Sequence, residues 1–84
     1  MIVEDEMISA MSTKQGLINL DYNVIGIANT GKKAIKSANE LKPDLIMMDI
    51  TLKGEMDGIE TAKQINKNLD IPIIYMTGYS GDDG

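Results

Sequence analysis

Eighty-four residues set a limit of one domain, and a chain of that size buries only about 60–65% of its unfolded surface. With no cysteine and no histidine there are no disulfides, no zinc site of the usual kind, no thiol nucleophile and no imidazole base, which excludes serine-triad, cysteine-protease and zinc-hydrolase chemistry. Thirteen acidic side chains against eight basic ones give a net charge of −5, and all eight cations are lysines; without the arginine fork that reads phosphate or guanine, no nucleic acid is expected to be contacted directly.

The chain begins with a short apolar strand at residues 1–3. Met7, Ile8, Ala10, Met11, Leu17, Ile18 and Leu20 then recur at helical spacing, with Gly16 weakening the last turns. Residues 22–28 are β-branched and apolar and read as the second strand. Thr30 suits an N-cap, and Ala34, Ile35, Ala38 and Leu41 give a second helix that Pro43 stops. Residues 44–48 form a nearly continuous apolar run of the kind buried on both faces of a parallel sheet, and the run ends on Asp49. A loop rich in glycine and charge leads to a third helix over residues 59–69, then Pro72 and a fourth strand at residues 73–76. Apolar runs such as 45–48 and 73–76 are far too short to cross a membrane, so no membrane contact is expected and the location is read as cytoplasmic.

This alternating order predicts an α/β fold, an open parallel sheet with right-handed crossovers. The fourth strand has no polar residue to blunt an exposed edge, and no apolar segment follows it, which favours a single truncated domain over residues 1–84.

In such a sheet, ligands bind outside the carboxyl ends of the strands. Glu4, Asp5 and Glu6 follow the first strand, Asp49 the third, and Thr77 and Gly78 the fourth. Carboxylates crowded at one edge repel one another unless a proton or cation sits among them, and Mg²⁺ is the hard cation that suits them. Asp5 and Asp49 would serve as ligands, with the backbone carbonyl of Thr51 within reach. A charge at the end of Leu45-Ile46-Met47-Met48 is explained by a turn role, or by a nucleophilic one in which Asp49 attacks phosphorus to form an acyl phosphate. Thr77 could then donate its hydroxyl to a phosphoryl oxygen, and Gly78 could leave room for the group.

Four ordered segments carry a resemblance: Ile2-Val3-Glu4-Asp5-Glu6, Pro43-Asp44-Leu45-Ile46-Met47-Met48-Asp49-Ile50, Met56-Asp57-Gly58-Ile59-Glu60 and Pro72-Ile73-Ile74-Tyr75-Met76-Thr77-Gly78. In order and spacing the chain resembles the receiver domain of two-component response regulators. The resemblance implies a flavodoxin-like fold with strand order 2-1-3-4, lacking the family's fifth strand and last two helices. It also implies a phosphoacceptor at Asp49, loaded from a sensor histidine kinase or phosphotransfer protein with Mg²⁺ bound. By position, Asp5 would be a direct metal ligand, Glu4 a ligand through water, and Thr77 the switch hydroxyl. The family is not one of conventional enzymes; self-phosphorylation and self-dephosphorylation are expected of a full domain. Two departures stand out: the lysine that the family carries on its fifth strand is not in the chain, and Lys53 stands where the family often has proline, in a loop one residue longer than the commonest form. With the fifth helix missing, apolar surface beside the first helix would invite self-association.

The nearest rival is a haloacid-dehalogenase-like phosphatase, which places an aspartate and a threonine after comparable strands but wants a second aspartate where Thr51 stands. A calcium loop with Asp49, Gly54, Asp57 and Glu60 at positions 1, 6, 9 and 12 fails at Thr51 and Lys53. A receiver-like interaction module that is not phosphorylated is the non-catalytic alternative.

Overall fold

The structure, a computed structural model, describes residues 1–77. Strands and helices alternate as β1 (Ile2–Val3), α1 (Met7–Asn19), β2 (Ile27–Ala28), α2 (Gly31–Leu41), β3 (Ile46–Asp49), α3 (Gly58–Ile65) and β4 (Ile73–Met76). The four strands form one parallel sheet in the order β2-β1-β3-β4, as expected for a flavodoxin-like fold. Ile2 lies between Ile27 and Met47, Val3 between Ala28 and Met48, and Asp49 pairs with Met76. This register brings the carboxyl ends of β1, β3 and β4 to one edge.

The core lies on the sheet face that α2 and α3 cover. Small residues make close packing possible there: Ala34 and Ala38 of α2 and Ala62 of α3 meet Val3, Ile46, Met48 and Ile65, all buried. Each fully buried Ile or Met side chain contributes about 1.5–3 kcal/mol relative to exposure. Thr30 caps α2 as expected, its side chain accepting from Lys33 N at 3.1 Å. At the other end Lys42 adopts a left-handed conformation just before buried Pro43, which ends the helix.

Two expectations need correction, the extents of the second strand and of the third helix. The second strand covers only Ile27–Ala28 rather than residues 22–28, because β1 offers two residues for pairing and Ile2 N already reaches back to Gly26 O at 3.0 Å. The first helix runs through Gly16, and Met7, Met11 and Ile18 share one exposed stripe with Ile8 at its margin. The stripe turned to the sheet is Ala10, Thr13, Lys14 and Leu17, with Ala10 alone fully buried. The third helix stops at Ile65, where Asn66 caps it and exchanges two hydrogen bonds with Ile71, Nδ2 to the carbonyl at 3.1 Å and Oδ1 from the amide at 3.0 Å.

Candidate acidic site at the carboxyl edge

The tight turn from β1 into α1 places three acidic residues in succession. Glu6 is the N-cap of α1, its side chain accepting from Ile8 N at 3.1 Å. Its backbone amide in turn donates to Glu4 Oε2 at 3.1 Å. Glu4 is itself buried, since its backbone donates to Ala28 O at 2.9 Å and so continues the β1–β2 ladder into the site.

Asp49 closes β3 with 3% of its surface exposed. One carboxylate oxygen, Oδ1, accepts from both the amide and the hydroxyl of Thr51, each at 2.9 Å. This local turn is the one favoured by aspartate followed two residues later by a hydroxyl. It fixes the carboxylate's rotation and leaves the second oxygen free of Thr51. Asp5, half-buried, accepts from the backbone amide of Lys53 at 3.1 Å, a bond that ties the loop after β3 to the end of β1.

Glu4, Asp5 and Asp49 each offer a carboxylate oxygen within 4.8 Å of the others. The Glu4 carboxyl is pushed up to about 7, chiefly by burial; the Glu6 amide opposes this, and the contact with Asp49 and the charges of Asp49 and Asp5 add smaller upward contributions. A donor set of hard oxygens holding more negative charge than it can disperse fits a divalent cation of the Mg²⁺ kind. The cluster opens into a cavity of about 290 Å³, which Thr51, Ser9 and Lys53 also line.

The candidate residues thus divide. Glu4, Asp5, Asp49 and Thr51 share the cavity. Thr77 is exposed and does not line it, but it directly follows Met76, the β4 partner of Asp49, so it stands at the same edge. Gly78 lies outside the described residues. Sequence reading did not place Lys53 or Ser9 in the cavity, and took Thr51 for its carbonyl alone rather than for the two donors that hold Asp49. The spacing of Thr51 two residues after Asp49 was the available signal. The calcium-loop pattern dissolves, because Asp57 caps α3 by accepting from Glu60 N at 2.9 Å and Glu60 accepts from Gln64 at 2.8 Å.

Comparison with known proteins agrees with this geometry. Residues 1–83 match the response regulator receiver domain family. The transcriptional regulatory protein YdfI of Bacillus subtilis is 41% identical over 83 residues, an overlap of 98% of this chain and 38% of YdfI. The signal receiver domain of a modulated diguanylate cyclase from Desulfovibrio desulfuricans superimposes with a TM-score of 0.87 at 38% identity, covering 96% of this chain and 64% of that one. The anti-anti-sigma factor PhyR of Bartonella quintana, solved in complex with the anti-sigma factor NepR, gives a TM-score of 0.81 at 39% identity over 88% of this chain and 31% of PhyR. The chain spans less than two fifths of the length of curated relatives such as YdfI.

Proposed function

The chain belongs to the response regulator receiver family, and on that premise we propose that it accepts a phosphoryl group on Asp49 from a phosphohistidine of a sensor histidine kinase or phosphotransfer protein. The observation that supports this most is the convergence of Glu4 and Asp5 on a nearly buried Asp49 at the carboxyl edge of a parallel sheet. Family membership also weighs against the haloacid-dehalogenase reading, whose general acid would have to be Thr51.

The chemistry rests on placement. Thr51 holds Asp49 Oδ1, so the other oxygen is the nucleophile that attacks phosphorus in line. The phosphorus–nitrogen bond of the donor breaks, its electron pair returns to the imidazole nitrogen, and that nitrogen is reprotonated from water. Asp5, Asp49 and the Thr51 carbonyl would hold Mg²⁺, with Glu4 acting through water. When bound, the ion neutralises charge between the carboxylates and the phosphoryl oxygens. Thr77 would donate to a phosphoryl oxygen and pass the change in charge to the segment after β4, where partners distinguish the two states. The site of action is the cytoplasm, where kinase and receiver meet.

The test is intact mass after incubation with acetyl phosphate, with and without Mg²⁺, on this chain and on Asp49→Asn. A Mg²⁺-dependent gain of one phosphoryl group that the variant lacks is the expected result. Uptake that survives in Asp49→Asn would overturn the assignment.

A further inference from the structure

The loop from β3 to α3 brings one cation to the acidic cavity, and its placement is built from both sides. Leu52 is 3% exposed and anchors the loop in the core, its amide donating to Asp49 O at 3.3 Å. Gly54 follows with φ 110°, a left-handed turn that side chains other than glycine rarely adopt. Between this anchor and this turn, the amide of Lys53 is fixed on Asp5 at 3.1 Å. Lys53 is exposed, and it is the only cation among the described residues that line the cavity. Its four-carbon stem starts beside Asp5 and carries a compact charge that can swing over the cavity mouth.

Charge balance gives that cation a task. One divalent ion offsets two of the three carboxylates, and the incoming phosphoryl group adds negative charge of its own. Among the described residues only Lys53 stands where it could offset that charge, in a partly buried site where repulsion is least screened.

Resting on the phosphoacceptor reading above, we propose that Lys53 is a substrate-binding residue: its ammonium contacts the phosphoryl group of the donor at the cavity mouth and draws it onto Asp49. The contact is electrostatic, and Lys53 exchanges no proton or bond in the transfer. Because the amide of Lys53 serves Asp5 whatever the side chain, substitution of the side chain leaves the metal-ligand geometry in place.

The experiment measures phosphoryl uptake by intact mass over a range of acetyl phosphate concentrations with Mg²⁺, for the parent chain, Lys53→Gln, Lys53→Arg and Asp49→Asn, together with Mg²⁺ affinity by calorimetry. Lys53→Gln is expected to raise the half-saturating donor concentration roughly tenfold while the maximal rate stays within about threefold, and Lys53→Arg to restore most of the loss. Mg²⁺ affinity should hold or rise in Lys53→Gln, since a neighbouring positive charge has been removed. Unchanged donor dependence in Lys53→Gln, beside normal uptake by the parent, overturns the role of Lys53 alone. Equal impairment of the Gln and Arg variants also overturns it, by pointing to loop structure rather than charge. A parent chain that takes up no more phosphoryl than Asp49→Asn overturns the phosphoacceptor reading, and the role of Lys53 with it.

Discussion

Gly58 lies so close to Asp49 that a β-carbon added to it would collide with the Asp49 carbonyl oxygen and with the backbone of Ile50. The first residue of α3 is therefore wedged against the end of β3, at the point where the candidate phosphoacceptor leaves the sheet. Because the obstacle is backbone, it cannot rotate away. Gly58→Ala should push α3 and the end of β3 apart, with a loss of about 1–3 kcal/mol in urea unfolding and weaker Mg²⁺ binding at the displaced carboxylates. An Ala variant with parental stability and parental Mg²⁺ affinity would show that the contact has no consequence.

Asp49→Asn should behave in the opposite way. The amide oxygen of asparagine can still accept from both donors of Thr51, so the turn is kept. The substitution also removes a negative charge beside Glu4, which relieves repulsion in the metal-free protein. Thermal unfolding in EDTA should show a Tm equal to the parent's or a few degrees higher, while phosphoryl uptake is lost. A fall of several degrees would mean that the ionised carboxylate holds the fold together.

Much of this was legible in the sequence, for reasons that differ by element. The run into Asp49 could be read because a strand buried on both faces admits little but apolar residues, and the segment 73–76 because it too is an unbroken apolar run, although Ile74 and Tyr75 stay exposed. Residues 22–28 looked equally strand-like, yet pairing depends on the neighbour, and β1 is too short to bind more than Ile27–Ala28. The helical spacing of apolar residues in α1 was legible, but the face turned to the sheet, Ala10, Thr13 and Leu17, follows from how the helix docks. At the site, the carboxylates announced themselves by position at strand ends. Lys53 did not, because its approach to Asp5 spans 48 residues of sequence and runs through a backbone amide that carries no residue-type signal.

Asn66 is a polar residue that sequence reading passed over inside its expected third helix. Its two hydrogen bonds to Ile71 replace a further helical turn and aim the chain into β4, just before which Pro72 O accepts from Ile46 N at 3.0 Å. Asn66→Ala leaves the partly buried amide and carbonyl of Ile71 without these partners, at about 1–3 kcal/mol. Urea unfolding should register that loss, and Asn66→Asp, which keeps the acceptor for the Ile71 amide, should recover part of it. Equal stability of Asn66→Ala and the parent would contradict the bracing role.

The acidic site should make the metal-free protein lose stability as pH rises through the range where most proteins are steady. In the fold the Glu4 carboxyl is pushed up to about 7, chiefly by burial, from an ordinary value of 4.5. Between those two values the folded chain keeps a proton that the unfolded chain has released, so each unit of rising pH favours unfolding by up to about 1.4 kcal/mol. The contribution is fully present below pH 4.5, declines through the window and is gone above about pH 7, for a total on the order of 1–2 kcal/mol after solvent screening. In a domain of this size that corresponds to a Tm decrease on the order of 10 °C. Glu4→Gln keeps an acceptor for the Glu6 amide and has no proton to lose, so its Tm in EDTA should be much flatter across the window. Millimolar Mg²⁺ should reverse the slope in the parent, because the ion binds the ionised carboxylates and competes with the proton for them. Parallel Tm profiles for the parent and Glu4→Gln in EDTA would show that burial of Glu4 does not set its titration, and would remove the electrostatic argument for a cation at this edge.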